Sequence, residues 1–210
     1  LAEPTQRHIN CTCKFRDSGL CSGRLIQIMA GRRDIFEQSL QAGHAAAWDG
    51  QWDQAIQAYQ TAVAEFPDDG VALNALGLAF LEKGRLKEAL AVYQRAASKT
   101  PGDPVAPEKC GEILEKLGRS PEAGQAYLYV AELHMKRQDV AKAVTNLARS
   151  VRATPDNLGA RSRLALALER AGKSQAAALE FIEVARLFQK ASDPAKANAA
   201  LQRAVQLSAQ

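Results

Sequence analysis

Ala55, Tyr59, Ala62 and Pro67 return in the same order and spacing as Ala89, Tyr93, Ala96 and Pro101, and Ala42, Gly43 and Ala46 return by the same step as Leu76, Gly77 and Phe80. A period of this length leaves few architectures open, because each unit must be a small supersecondary element that repeats. A-x3-aromatic-x2-A-x4-P reads as one helix, and L-G-x2-aromatic lies on the helix before it. Two helices approach closely only where one offers Gly or Ala to a large side chain of the other. Gly77 and Ala89 are then holes, and Leu76, Phe80 and Tyr93 are knobs. DGQ at 49–51 and KGR at 83–85 supply Gly-containing turns inside each pair, while Pro67 and Pro101 end the second helix. One hairpin cannot cover its own apolar stripe, so neighbouring hairpins must stack.

Past residue 104 the frame changes step. Gly111, Leu114, Ala123 and Tyr127 keep the register set by Gly77 and Ala89, but the next equivalent of Ala123 is Ala143, well short of a full period, with Leu147, Ser150 and Pro155 following. Residues 121–137 therefore serve as the second helix of one repeat and the first of the next. The event recurs, since Ala177 and Phe181 stand to Ala197 as Ala123 and Tyr127 stand to Ala143. Residues 104–157 align with 158–210 as a duplicated three-helix unit, pairing Gly118 with Gly172, Ala131 with Ala185, Asp139 with Asp193 and Leu147 with Leu201. The spacing predicts about ten helices, near 34–48, 52–65, 70–82, 86–99, 104–117, 121–137, 140–153, 158–171, 175–191 and 194–208. The last keeps apolar positions with no polar capping helix after it.

Period, small-residue positions and terminal proline together resemble the tetratricopeptide repeat over residues 36–210. The resemblance implies an all-α, α-α superhelix over residues 34–210, preceded by an irregular basic, Cys-containing segment at 1–33. The shared helices depart from the regular family and leave open which helix faces inward after residue 120.

Composition agrees with close-packed helices, for 47% of residues are hydrophobic and only 6% aromatic. No run approaches the roughly 18 apolar residues of a membrane span, and no secretory layout opens the chain, so a cytoplasmic protein without membrane insertion is expected. The net charge of +4 sits in residues 1–33, which carry six basic and two acidic side chains. Nucleic-acid binding would need that tail or a local patch, because the rest of the chain is neutral. Within the neutral part, residues 34–135 hold 8 basic and 15 acidic side chains and residues 136–210 hold 13 and 6. Such polarity suits either uneven solvated faces or head-to-tail contact between copies.

Met29 stands at the border of the irregular segment. Two origins of residues 1–28 stay open, a stretch upstream of a native start or an arm that serves a partner. His8, Cys11, Cys13 and Cys21 are the only candidate zinc ligands, yet H-x2-C-x-C-x7-C is not an established finger spacing. Cys110 occupies a small-residue helix position, as expected of a buried inert thiol. No cofactor and no catalytic activity are expected. P-loop, G-x-G-x-x-G, H-E-x-x-H and C-x-x-C motifs are absent, and neither His44 nor His134 has a nucleophile beside it in sequence. Asp68 and Asp69 read as turn residues and helix caps.

In the tetratricopeptide family the first helix of each hairpin lines a concave groove that holds peptides. Carried over by position, the resemblance implies a groove of Leu40, His44, Ala47 and Trp48, then Val71, Asn74, Leu78 and Leu81, then Glu108, Glu112, Glu115 and Lys116. Trp48 is the sharpest member, either a binding anchor or the seat for residues 1–33 folded back. Trp52 falls on a hairpin core position. The family's carboxylate clamp is not expected, since Ala75 replaces the groove Asn. The implied function is a non-enzymatic protein–protein interaction scaffold, whose ligand has a hydrophobic anchor and basic flanks. The rival is a structural subunit that self-associates, as a homo-oligomer through the C-terminal helix.

Overall fold

Every hairpin among the described residues reverses direction at one residue with left-handed backbone. Gly50, Gly84, Gly118 and Gly172 take φ between 70° and 72°, a region that costs a residue with a Cβ about 1–2 kcal/mol. The closing hydrogen bond of such a turn is intact, as when Arg85 N donates to Phe80 O at 2.9 Å. The computed structural model describes residues 32–209, and among them are ten helices and no strand.

The helices are α1 (Arg33–Trp48), α2 (Trp52–Glu65), α3 (Gly70–Glu82), α4 (Leu86–Lys99), α5 (Val105–Lys116), α6 (Ser120–Lys136), α7 (Val140–Ala153), α8 (Leu158–Arg170), α9 (Ser174–Lys190) and α10 (Pro194–Ser208). Each packs on the next in sequence. The expected all-α solenoid is present, with element ends within a residue or so of those read from the spacing. The zinc candidates His8, Cys11, Cys13 and Cys21 lie outside the described residues.

Two kinds of connection alternate in a pattern that defines the units. Pro67, Pro101 and Pro155 follow α2, α4 and α7, after extended residues Phe66, Thr100 and Thr154. Asp69 and Asn157 then cap the next helix, accepting from Ala72 N at 2.8 Å and Ala160 N at 3.0 Å. Asp68 instead faces Lys99 at 2.9 Å, and that hydrogen bond holds its carboxyl below the usual range. Left-handed turns fill the other six connections. The chain is thus two plain hairpins, α1–α2 and α3–α4, followed by two three-helix units, α5–α6–α7 and α8–α9–α10.

The second turn of each three-helix unit is made without glycine. Gln138 and Ser192 hold φ of 60° and 57°, and the closing bonds from Asp139 N to His134 O and from Asp193 N to Phe188 O are intact. Asp139 and Asp193 also cap α7 and α10, which glycine turns in this chain do without. Gln138→Gly and Ser192→Gly are each expected to stabilise by about 0.5–1 kcal/mol by removing the Cβ penalty. Thermal unfolding should rise by roughly 2–3 °C per substitution; an unchanged or lower midpoint contradicts this reading of the turns.

Small residues sit where large ones press. A Cβ added at Gly77 would lie 2.8 Å from Cε2 and Cζ of Tyr93, and one at Gly111 would lie 2.7 Å from Cε1 of Tyr127. Gly43 faces Tyr59 in the same way. Two apolar cores result. The first runs from Ala55 to Tyr127 and the second from Ala131 to Leu207, so the border between them falls on α6. Helices α6 and α9, at 17 residues each, are the longest of those described. Gly124 on α6 lets α7 close in, and Ser150 donates to the Gly124 carbonyl at 2.7 Å.

Candidate partner-binding groove

Helices α1, α3 and α5 are the first helices of three successive units. Between them lies a groove of about 580 Å³. Ala47, Ala75, Leu78 and Val105 form its apolar wall, and Trp48 stands on the rim with 91% of its surface exposed. Such a large apolar ring left in water adds nothing to folding, and Trp is enriched among residues that dominate interfaces. Polar groups are few and placed. His44 Nδ1 and the Tyr59 hydroxyl are 2.9 Å apart, with the rings edge to face. Burial raises the pKa of Tyr59 and pushes that of Tyr93 up to about 12, so both hydroxyls stay protonated donors. Asn74 Oδ1 is buried with no hydrogen-bond partner among the described residues.

Of the residues expected in the groove, His44, Ala47, Trp48, Asn74 and Leu78 are brought together there. Leu40 and Leu81 turn instead to the first core, where they are partly buried. Val71 is exposed at the start of α3 and is not part of the wall. Trp52 is half-buried against the core, as its position implies, and its edge reaches the groove. Val105 and Lys109 belong to the wall and are not among the expected residues. Sliding Val71 and Ala75 by one repeat lands on them.

The acidic strip needs correction. The sequence places Glu108, Glu112 and Glu115 free for a ligand's basic flanks, but arginines of α7 reach them. Arg149 reaches Glu108 at 3.0 Å and Glu112 at 3.6 Å, and Arg152 reaches Glu115 at 3.3 Å. Lys109 holds Glu112 at 2.8 Å, and Tyr127 donates to Glu115 at 2.9 Å. Arg149 also lies over the Tyr127 ring, 5.5 Å from its centroid. The charge polarity of the two halves thus has a use within the chain: acids of α5 and arginines of α7 weld the first stack to the second. Burial and the Glu115 contact raise the Tyr127 pKa.

Other chemistry is sparse among the described residues. No group of three or more His, Cys, Asp or Glu side chains is placed to hold a metal ion. Cys110 is buried, and burial pushes its thiol up to about 11, which leaves little reactive thiolate. His134 is a core residue of α6, with Asp139 Oδ2 3.9 Å away. No described helix is long and apolar enough to cross a membrane.

A groove framed by the first helices of stacked hairpins defines the class. The tetratricopeptide-repeat family model matches residues 40–104 and 131–187, more than half of the chain, which therefore belongs to that family. The break between the two matches, residues 105–130, covers α5 and the first part of α6. Among solved structures, the chain is similar to the Yersinia enterocolitica type III secretion chaperone SycD in complex with a peptide of the translocator YopD (TM-score 0.50, 19% identity, 58% of this chain and 96% of that one). It is also similar to the TPR2B domain of yeast Sti1 in its pHsp70 complex (0.52, 16%, 58% and 97%). PcrH from Pseudomonas aeruginosa is a third neighbour (0.52, 22%, 59% and 94%). These likenesses concern the fold. No curated protein matches the chain.

Proposed function

We propose that this chain is a non-enzymatic scaffold that grips a peptide or helix of a partner protein in the α1–α3–α5 groove, with Trp48 as the anchor. The observation that carries the reading is the exposed Trp48 ring beside an apolar wall. The ligand offers an apolar side chain to Trp48, Ala75 and Leu78. Basic flanks are no longer called for, because the glutamates that would read them are engaged by Arg149 and Arg152. Fold neighbours described with a bound peptide, such as SycD with its YopD segment, support a protein partner of this kind.

Peptides selected by the immobilised chain from a displayed random library supply the probe. Trp48→Ala should weaken binding about 30-fold, the equivalent of about 2 kcal/mol, and Leu78→Asp should abolish it. Both positions are exposed, so circular dichroism should remain that of the native chain. Selected peptides whose affinity survives both substitutions would remove the groove from the account.

A further inference from the structure

The second stack carries a hollow of its own, separate from the groove beside Trp48. Between α6, α7 and α8 lies a cavity of about 550 Å³. Its lining is apolar at the centre. Leu147 and Ala167 are buried there, Met135 is half-buried, and Leu166 leaves 53% of its surface in water. All three helices have described helices before and after them, so the hollow lies inside the array. Repeat register ties it to the first groove. Five residues on from the small packing residue, Gly43 leads to Trp48, Ala131 to Lys136 and Ala165 to Arg170. A cation thus stands on α6 and on α8 where α1 carries its exposed ring.

The charges around this lining do not cancel. Five charged side chains reach it. Glu132 is paired with Arg163 at 3.0 Å, and Glu169 is paired with Arg203 of α10. That leaves Lys136 and Arg170, both exposed, and neither meets a carboxylate among the described residues. Of the basic side chains from Arg137 onward, only Lys173 shares that state among the described residues; the others hold a carboxylate or, for Arg137, a backbone carbonyl. Two of three unpaired cations therefore converge on one apolar hollow. Cations in a last turn also favour their own helices, but that effect asks for no apolar seat beside them.

We propose that the α6–α7–α8 hollow binds an acidic segment of a partner protein. A leucine-sized side chain of that segment rests against Leu147 and Leu166, while its carboxylates pair with Lys136 and Arg170. Other occupants fit less well. No aromatic side chain lines the hollow, so it offers nucleic-acid bases nothing to stack on. The chain's own residues 1–33, with six basic and two acidic side chains, would bring like charge to like.

The test uses the full chain and two fluorescein-labelled peptides blocked at both ends, one alternating aspartate with leucine and one alternating lysine with leucine. Labelled oligothymidylate is the third probe. Anisotropy should give the aspartate peptide about tenfold the affinity of the lysine peptide. Lys136→Glu combined with Arg170→Glu should reverse that order, and Leu166→Asp should weaken the aspartate peptide about tenfold. All three positions are exposed, so circular dichroism should stay that of the native chain. Trp48→Ala should leave both affinities unchanged, which separates this site from the α1–α3–α5 groove. The proposal is overturned if neither peptide binds or if the double charge reversal leaves the order as it was. It is equally overturned if oligothymidylate binds as tightly as the aspartate peptide and is lost on that reversal, or if sedimentation finds a dimer that the reversal dissolves.

Discussion

Tyr127→Ala is expected to cost the chain about 3–5 kcal/mol and to split its unfolding into two steps. Tyr127 is fully buried in the first core and is also touched by Arg149 of the second stack. Its ring fills the notch at Gly111, its hydroxyl donates to Glu115 of α5, and Arg149 of α7 lies on its face. Repeat arrays hold together through contacts between neighbours, so removing the residue that serves two neighbours weakens the coupling as well as the core. The first core ends at Tyr127 and the second begins at Ala131, which sets where the chain should part. Tyr127→Phe keeps the ring and removes only the donor to Glu115, a loss of about 1 kcal/mol. Denaturant titration followed by circular dichroism and by tryptophan emission checks this, because Trp48 and Trp52 both report on the first stack. Coincident transitions with a loss of under about 1 kcal/mol would mean that α6 is not the joint.

Gly77→Leu carries the second large effect. A lone Cβ at Gly77 falls 2.8 Å from the Tyr93 ring, closer than carbon atoms pack, and Tyr93 is itself buried. Replacing Gly by a residue with better helix propensity gains about 1 kcal/mol in the helix. Overpacking a closed hairpin costs about 3 kcal/mol or more, so the loss wins. Tyr93→Ala alone also destabilises by leaving a cavity. Combined with Gly77→Leu it should recover at least about 1 kcal/mol of the summed losses, since each change relieves the other. Strictly additive losses in the double mutant would show that the two residues do not share the notch.

Most of the framework is legible in the chain because its punctuation is chemical. Glycines that need left-handed backbone, prolines that stop helices and alanines that face aromatics each leave a mark at a fixed spacing. The shortened step from Ala123 to Ala143 marks the shared helix α6 even though Gln138 stands where a glycine is expected. The groove is legible only in part. His44, Trp48, Asn74 and Leu78 share it because the period places them on first helices. Leu40 and Leu81 share that placement, but their side chains are drawn into the neighbouring core. The fate of Glu108, Glu112 and Glu115 is not readable, because the arginines that engage them arrive from α7, and sequence spacing does not say where a shared helix sends the next one.

Methyl chemical-shift mapping of the chain with a library-selected peptide tests the central claim most directly. Binding should move the methyls of Leu78, Val105 and Ala75 together with the Trp48 indole signal, and leave Val144 and Leu187 in the second stack in place. Shifts confined to the outer helices α2 and α4, with the Trp48 signal unmoved, would contradict it.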